Sequence, residues 1–168
     1  MATRLLLVSD THLPKRAKRM PSAVLAAASE VDLVIHAGDW VDTDTLDLLE
    51  SASRELVGVW GNNDGPELRV RLPEIARVRV EQLDIAVVHE TGAAAGRERR
   101  ADVGFPGTDV LVFGHSHIPW DSTTPCGMRL LNPGSPTDRR RQPRCTMMLA
   151  EVSGGDISVA LIPVDRSV

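Results

Sequence analysis

The 168-residue chain carries 25% charged and 42% apolar side chains, a composition that excludes a disordered or collagen-like polymer. That length suits one domain over residues 1–168, able to bury a core without disulfides or a structural metal. A net charge of −4 excludes wholesale salt-driven binding to nucleic acid, so no duplex partner is expected.

In chain order, the first apolar run, Leu5–Ser9, is too short for a signal-peptide core or a membrane span. It is expected to be structure, with no membrane partner. Cys126 and Cys145 lie far apart and read as free thiols in a reducing compartment, which points to the cytoplasm. Further solid apolar runs follow at Asp32–Ala37, Leu56–Trp60, Ile85–Val88 and Val110–Phe113. Continuous rather than alternating apolarity predicts central strands buried on both faces.

Between the runs, Pro21–Glu30 and Thr43–Ser53 carry helix-start signals and helical spacing. Arg77–Glu81 alternates, and Gln82–Asp84 can turn it back into the fourth run as a hairpin. After residue 118 proline and glycine multiply, and Met128–Leu131, Thr146–Val152 and Ile157–Ile162 read as antiparallel strands. The rhythm as a whole is that of a mixed α/β protein.

Each of the five runs ends on residues that bind metals: SDTH at 9–12, HAGD at 36–39, GNND at 61–64, His89-Glu90, and GHSH at 114–117. Ligands of open α/β sheets collect in the crevice outside the carboxyl ends of the strands, so these distant residues are expected to meet. In an extended segment alternate residues share a side, which predicts that Asp10 converges with His12, and His115 with His117. The candidates are Asp10, His12, Asp39, Asn62, His89, His115 and His117. Four imidazoles, two carboxylates and an amide oxygen without thiolate suit manganese, iron, nickel or zinc better than magnesium or calcium. Seven ligands exceed the needs of one ion with an open position and match two ions sharing a carboxylate, the arrangement of hydrolytic phosphoryl chemistry.

The ordered set D-x-H, GD, GNxD, H and GHxH, together with the NPGS stretch at 132–135, resembles the calcineurin-like metallophosphoesterase superfamily, and within it the small YfcE-like bacterial and archaeal branch. The resemblance spans residues 9–135. It implies two mixed sheets packed as a sandwich and flanked by helices. It further implies one metal on Asp10, His12 and His117, a second on Asn62, His89 and His115, and Asp39 as the bridge. Two divalent ions, manganese first, are expected as cofactors. The implied activity is hydrolysis of small phosphodiesters by a metal-bridging hydroxide, with Asp39, Asn62, His89 and His115 at the catalytic centre. The alternative is a scaffold or binding protein of the same fold, like the related retromer subunit. A small phosphate ester is the expected partner, and a homo-oligomer is open.

The sequence departs from its relatives in three places. Asn63 stands where many have a histidine that protonates the leaving group, and an amide cannot act as that acid. His89-Glu90 and His12-Leu13-Pro14 replace the usual His-Gly, which alters the rim. His36 reads as a partner outside the ligand set. Asp64 either orients a ligand histidine or ends its turn with Gly65. Trp40 and Trp120 could line the mouth, with core packing the expected fate, and Trp60 is assigned to the core. Lys15, Arg16, Lys18 and Arg19 form one basic loop, expected to be solvated. Arg139, Arg140, Arg141 and Arg144 form another, serving either substrate phosphate or an oligomer partner.

Overall fold

The computed structural model describes residues 1–165. Its elements run β1 (Thr3–Val8), α1 (Ser22–Glu30), β2 (Leu33–His36), α2 (Thr43–Ala52), β3 (Leu56–Gly58), α3 (Pro66–Arg71), β4 (Ile75–Val80), β5 (Leu83–Val88), α4 (Arg97–Gly104), β6 (Val110–Val112), β7 (Trp120–Thr123), β8 (Arg129–Asn132), β9 (Cys145–Ser153) and β10 (Asp156–Val164). The strands form two five-stranded sheets, ordered β10-β9-β1-β2-β3 and β4-β5-β6-β8-β7. Both are mixed. In the first, β1, β2 and β3 are parallel while β9 pairs antiparallel with β1.

The apolar runs explain the layering. Along β1, Leu5 and Leu7 enter the core between the sheets, together with Leu33, Ile35, Ile85, Val87, Val110, Val112 and Leu131. Leu6 and Val8 point the other way, into a second core with Val24, Ala28, Leu46 and Leu49 of the two flanking helices. Both faces of β1 are therefore dry, which is what a continuous apolar run demands. Truncating Leu7 to alanine should cost about 2–5 kcal/mol. Helix α2 is started by Asp42, whose carboxylate accepts the backbone N–H of Thr45 at 2.9 Å. A third core lies behind the second sheet, where Ala101 of α4 meets Leu111, Phe113 and Leu130.

The structure corrects several expectations. Leu56–Trp60 was expected to be central, but β3 is an edge strand, ends at Gly58 and is only partly buried at Leu56 and Val57. The hairpin turns at Glu81-Gln82 rather than over 82–84. β8 is antiparallel to β7 but parallel to β6, so the run at 128–131 is not purely antiparallel. β7, α3 and α4 had no counterpart in the sequence reading. Trp60 is not a core residue; it is half-buried beneath the guanidinium of Arg69, 4.0 Å from the ring centre. Among the described residues neither Cys126 nor Cys145 is in a disulfide. Among the described residues no helix is long and apolar enough to cross a membrane.

Candidate metal centre

Strands β1, β2 and β3 of one sheet and β5 and β6 of the other end at the same rim of the sandwich, and the five motifs follow them. The structure gathers six of the seven candidates into two triads, Asp10-His12-His117 and Asp39-His89-His115. The seventh, Asn62, joins the second: its Oδ1 lies 3.0 Å from His89 Nε2 and 3.0 Å from His115 Nδ1. Asp39 links the two groups, since its Oδ2 is 3.4 Å from His12 Nε2 and 3.4 Å from His89 Nε2.

Convergence is achieved by a route other than the expected one. The i, i+2 pairs are not extended: Asp10, His12, Asp39, His115 and His117 all have φ between 46° and 72°. Left-handed backbone at a residue with a Cβ costs about 1–3 kcal/mol each, and such strain gathers where function dictates geometry. His115 and His117 do not share a group either; their alternation sends one ring to each triad. Glycines make room beside them. A Cβ on Gly61 would come 2.2 Å from Asp39 Oδ1, and one on Gly114 would come 2.6 Å from Asp10 Oδ2.

Outer partners fix which nitrogen of each ring faces inward. His89 Nδ1–H donates to the Ala37 carbonyl at 2.7 Å, and His117 Nδ1–H donates to the Asp138 carbonyl at 2.6 Å, leaving both Nε2 atoms aimed at the centre. His115 is reversed: Nδ1 faces Asn62, while Nε2 lies 3.6 Å from Glu90 Oε1. Asp138 is thus a functional residue the sequence reading missed; a backbone carbonyl leaves no trace in residue type, and the nearby NPGS stretch was the one available signal. That stretch clamps the first loop, because Ser135 Oγ donates to the Asp10 carbonyl at 2.7 Å and Thr137 Oγ1 to the Thr11 carbonyl at 2.6 Å.

His36 and Asp64 act on the backbone. The Gly38 N–H donates to His36 Nδ1 at 3.1 Å, so Nε2–H is left for Thr11 Oγ1 at 3.1 Å, and the ring stacks on the fully buried Trp40. Burial lowers the His36 imidazole to about 3, which keeps it neutral. Asp64 orients no ligand histidine. It accepts the N–H groups of Asp39, Val41 and Gly61 at 2.7–2.9 Å and ties the second motif loop to the third. Burial raises its pKa, and the N–H groups of Val41, Gly61 and Trp40 oppose the rise.

The donor set fits cations. Asp10 is fully buried, and its Oδ1 accepts no hydrogen bond although it lies 3.4 Å from His117 Nε2 and 3.7 Å from His12 Nε2. A buried carboxylate oxygen left so is costly unless a positive charge stands before it. His12 and His117 present their Nε2 atoms to each other at 3.2 Å, and lone pairs that close need a proton or a metal between them. The same demand shows in the second triad. Burial alone would depress the His89 imidazole, but the hydrogen bond and charge of Asp39 with the charge of Asp10 lift it to about 9. Burial likewise opposes ionisation of Asp39, and His89 with the Asn63 donors still brings it down to about 2.

Known proteins resemble this chain in sequence and fold. Residues 3–155 match the model of the calcineurin-like phosphoesterase superfamily domain. A protein of Methanothermobacter thermautotrophicus named probable metallophosphoesterase is 34% identical over 167 residues, covering 96% of this chain and 95% of its own. A Thermotoga maritima protein solved by solution NMR superposes with a TM-score of 0.76 at 36% identity, over 96% of this chain and 99% of the other. Vacuolar protein sorting 29 of Cryptosporidium parvum, at 21% identity, shares the fold with a TM-score of 0.79 over 98% and 99% of the two chains. The family match covers strands β1 to β9 and every candidate loop, and the chain belongs to the calcineurin-like phosphoesterase superfamily.

Proposed function

We propose that this protein is a dinuclear metal-dependent phosphodiesterase acting on small phosphodiesters. In this reading Asp10, His12 and His117 hold one divalent cation, Asn62, His89 and His115 hold the other, and Asp39 serves both. The observation that carries it is Asp39 Oδ2, equidistant from one imidazole of each triad, beside the unpartnered Asp10 Oδ1. Manganese is the first candidate, with nickel, iron and zinc fitting the same thiolate-free N/O donors. Cations bound there supply an acidified water and neutralise charge developing on the phosphoryl oxygens.

The protein groups set the rest. Pinned rings and strained loops preorganise the donors before substrate arrives. Asn63 donates from Nδ2 to Asp39 Oδ2 at 2.8 Å and from its backbone N–H to Oδ1 at 2.9 Å. It therefore steadies the shared carboxylate and has no proton to give as an acid. Hydrolysis forms a bond from water oxygen to phosphorus and breaks the ester P–O bond, whose oxygen leaves with the electron pair. Lacking an acid at position 63, the site favours esters whose leaving oxygen tolerates that charge, which supports diesters with good leaving groups.

The test is to strip the metals, restore manganese, nickel, zinc or magnesium separately, and assay bis-p-nitrophenyl phosphate and p-nitrophenyl phosphate, with Asp39→Asn and His89→Ala as controls. Manganese or nickel should restore diester cleavage above monoester cleavage, and both variants should abolish it. A protein that binds two metals and cleaves neither ester would instead be a binding protein built on this fold.

A further inference from the structure

In the basic loop at 139–144, Arg140 reaches the backbone of a residue of the metal centre. Arg139 is turned away, its Nη1 donating to the Gln142 carbonyl at 2.8 Å. Arg140 is exposed, takes a left-handed backbone at φ 47°, and extends Nη1 to the His115 carbonyl at 3.4 Å. Its backbone N–H donates to Asp138 Oδ1 at 3.3 Å, and the Asp138 carbonyl in turn fixes His117. The segment 138–140 thus touches His117 of one triad and His115 of the other, and strain at a residue with a Cβ is spent on holding a guanidinium there.

Resting on the phosphoesterase reading, we infer that Arg140 binds the non-ester oxygens of the substrate phosphate at the mouth of the centre, beside His115. A guanidinium presents five N–H donors in a planar fork matched to phosphate, and the long contact to the His115 carbonyl engages only one nitrogen. Arg16 approaches the same segment, with Nε 3.6 Å from Asp138 Oδ2, so its charge reinforces the loop while Arg140 faces the rim. Glu90 brings the opposite sign to the His115 ring, beside Nε2, while Arg140 meets the His115 carbonyl. Anionic oxygen is therefore drawn to the Arg140 side.

The experiment uses the full chain loaded with manganese. Asparagine tolerates left-handed backbone, so Arg140→Asn removes the guanidinium without adding strain; Arg140→Lys keeps the charge and loses the fork. Inorganic phosphate binding by calorimetry, bis-p-nitrophenyl phosphate kinetics and metal content are measured on each, with Arg139→Ala as the control. Arg140→Asn should weaken phosphate binding and raise KM by about tenfold or more, the scale of one charged hydrogen bond, with kcat within about threefold and metal content unchanged. Arg140→Lys should recover part of the loss, and Arg139→Ala should change neither. Unchanged phosphate binding and KM in Arg140→Asn would overturn the assignment, as would a loss of metal matching the loss of activity. If phosphate binding depends on Arg140 while wild type cleaves neither ester, the phosphoesterase reading fails and the anion site stands.

Discussion

The two triads share a ligand chemistry but not a setting. Asp10, His12 and His117 are at most 6% exposed, closed over by the Ser135 and Thr137 clamp and with one carboxylate oxygen left without a donor. In the other group Asp39 and His89 are equally buried, but His115 is half-buried and Asn62 and Glu90 are exposed. A cation held in the first setting would answer a buried electrostatic deficit and so stabilise the fold. One held in the second would stand at the mouth, open to solvent and to substrate. The contrast predicts a tight, stabilising site and a looser, working one.

Asp39→Asn should break the contrast outright, because it removes the carboxylate charge from both settings. Diester cleavage is expected to fall about a thousandfold, the scale of losing a preorganised electrostatic partner at a reacting centre, with less than one metal retained by elemental analysis.

Next in size is the difference between His117→Ala and His115→Ala. Loss of His117 should weaken the tighter metal about a hundredfold or more and abolish the thermal stabilisation that metal confers. Binding at a hundredfold excess over Kd contributes about 2.7 kcal/mol, or about 5–10 °C in Tm for a chain of this size. His115→Ala should leave most of that shift and lose activity instead. Calorimetric scans with and without manganese decide the matter: equal loss of Tm shift in both variants would show two equivalent sites.

Ser135→Ala sharpens the picture without touching a ligand. It deletes the hydrogen bond to the Asp10 carbonyl and the acceptor for the Asp138 N–H at 2.9 Å, so the strained loops lose their clamp. The tighter metal should bind about tenfold more weakly, and unfolding should ease by about 1–2 kcal/mol. Titration should find the mouth metal unaffected.

Much of this was legible in the sequence because metal chemistry restricts residue type severely. Asp10, Asp39 and His89 each follow an apolar run, and the runs are strands because nothing polar interrupts them. The layering was harder to read. Leu56–Trp60 looks as apolar as β1, yet an edge strand with one half-open face can carry the same letters, and Trp60 finds its cover in Arg69 rather than in the core. Helix α4 reads as four charges in a row at RERR, but Arg97 is buried with its guanidinium over Phe113 and Trp120, so an arginine does the work of the missing apolar stripe. β7 alternates half-buried with exposed residues and has no run to announce it. The expectation of extended i, i+2 pairs erred for a physical reason: a rim that must aim alternate side chains at different centres needs the left-handed backbone that propensity rules discourage.

The smallest expected effect belongs to Glu90, where this chain departs from the usual His-Gly. Its carboxylate is 3.6 Å from His115 Nε2, with side chains 55% and 40% exposed, so water and salt screen the pair to at most about 1 kcal/mol. Negative charge there still makes the ring a better donor through Nδ1, the nitrogen that faces Asn62 and the mouth site. Glu90→Gln should therefore weaken the mouth metal by about threefold, leave the buried metal untouched, and lose its effect in high salt. Parallel titrations with manganese at low and high ionic strength measure this directly. A weakening of the buried site of the same size would mean that the two triads respond as one unit, and the distinction between a structural and a working metal would fall with it.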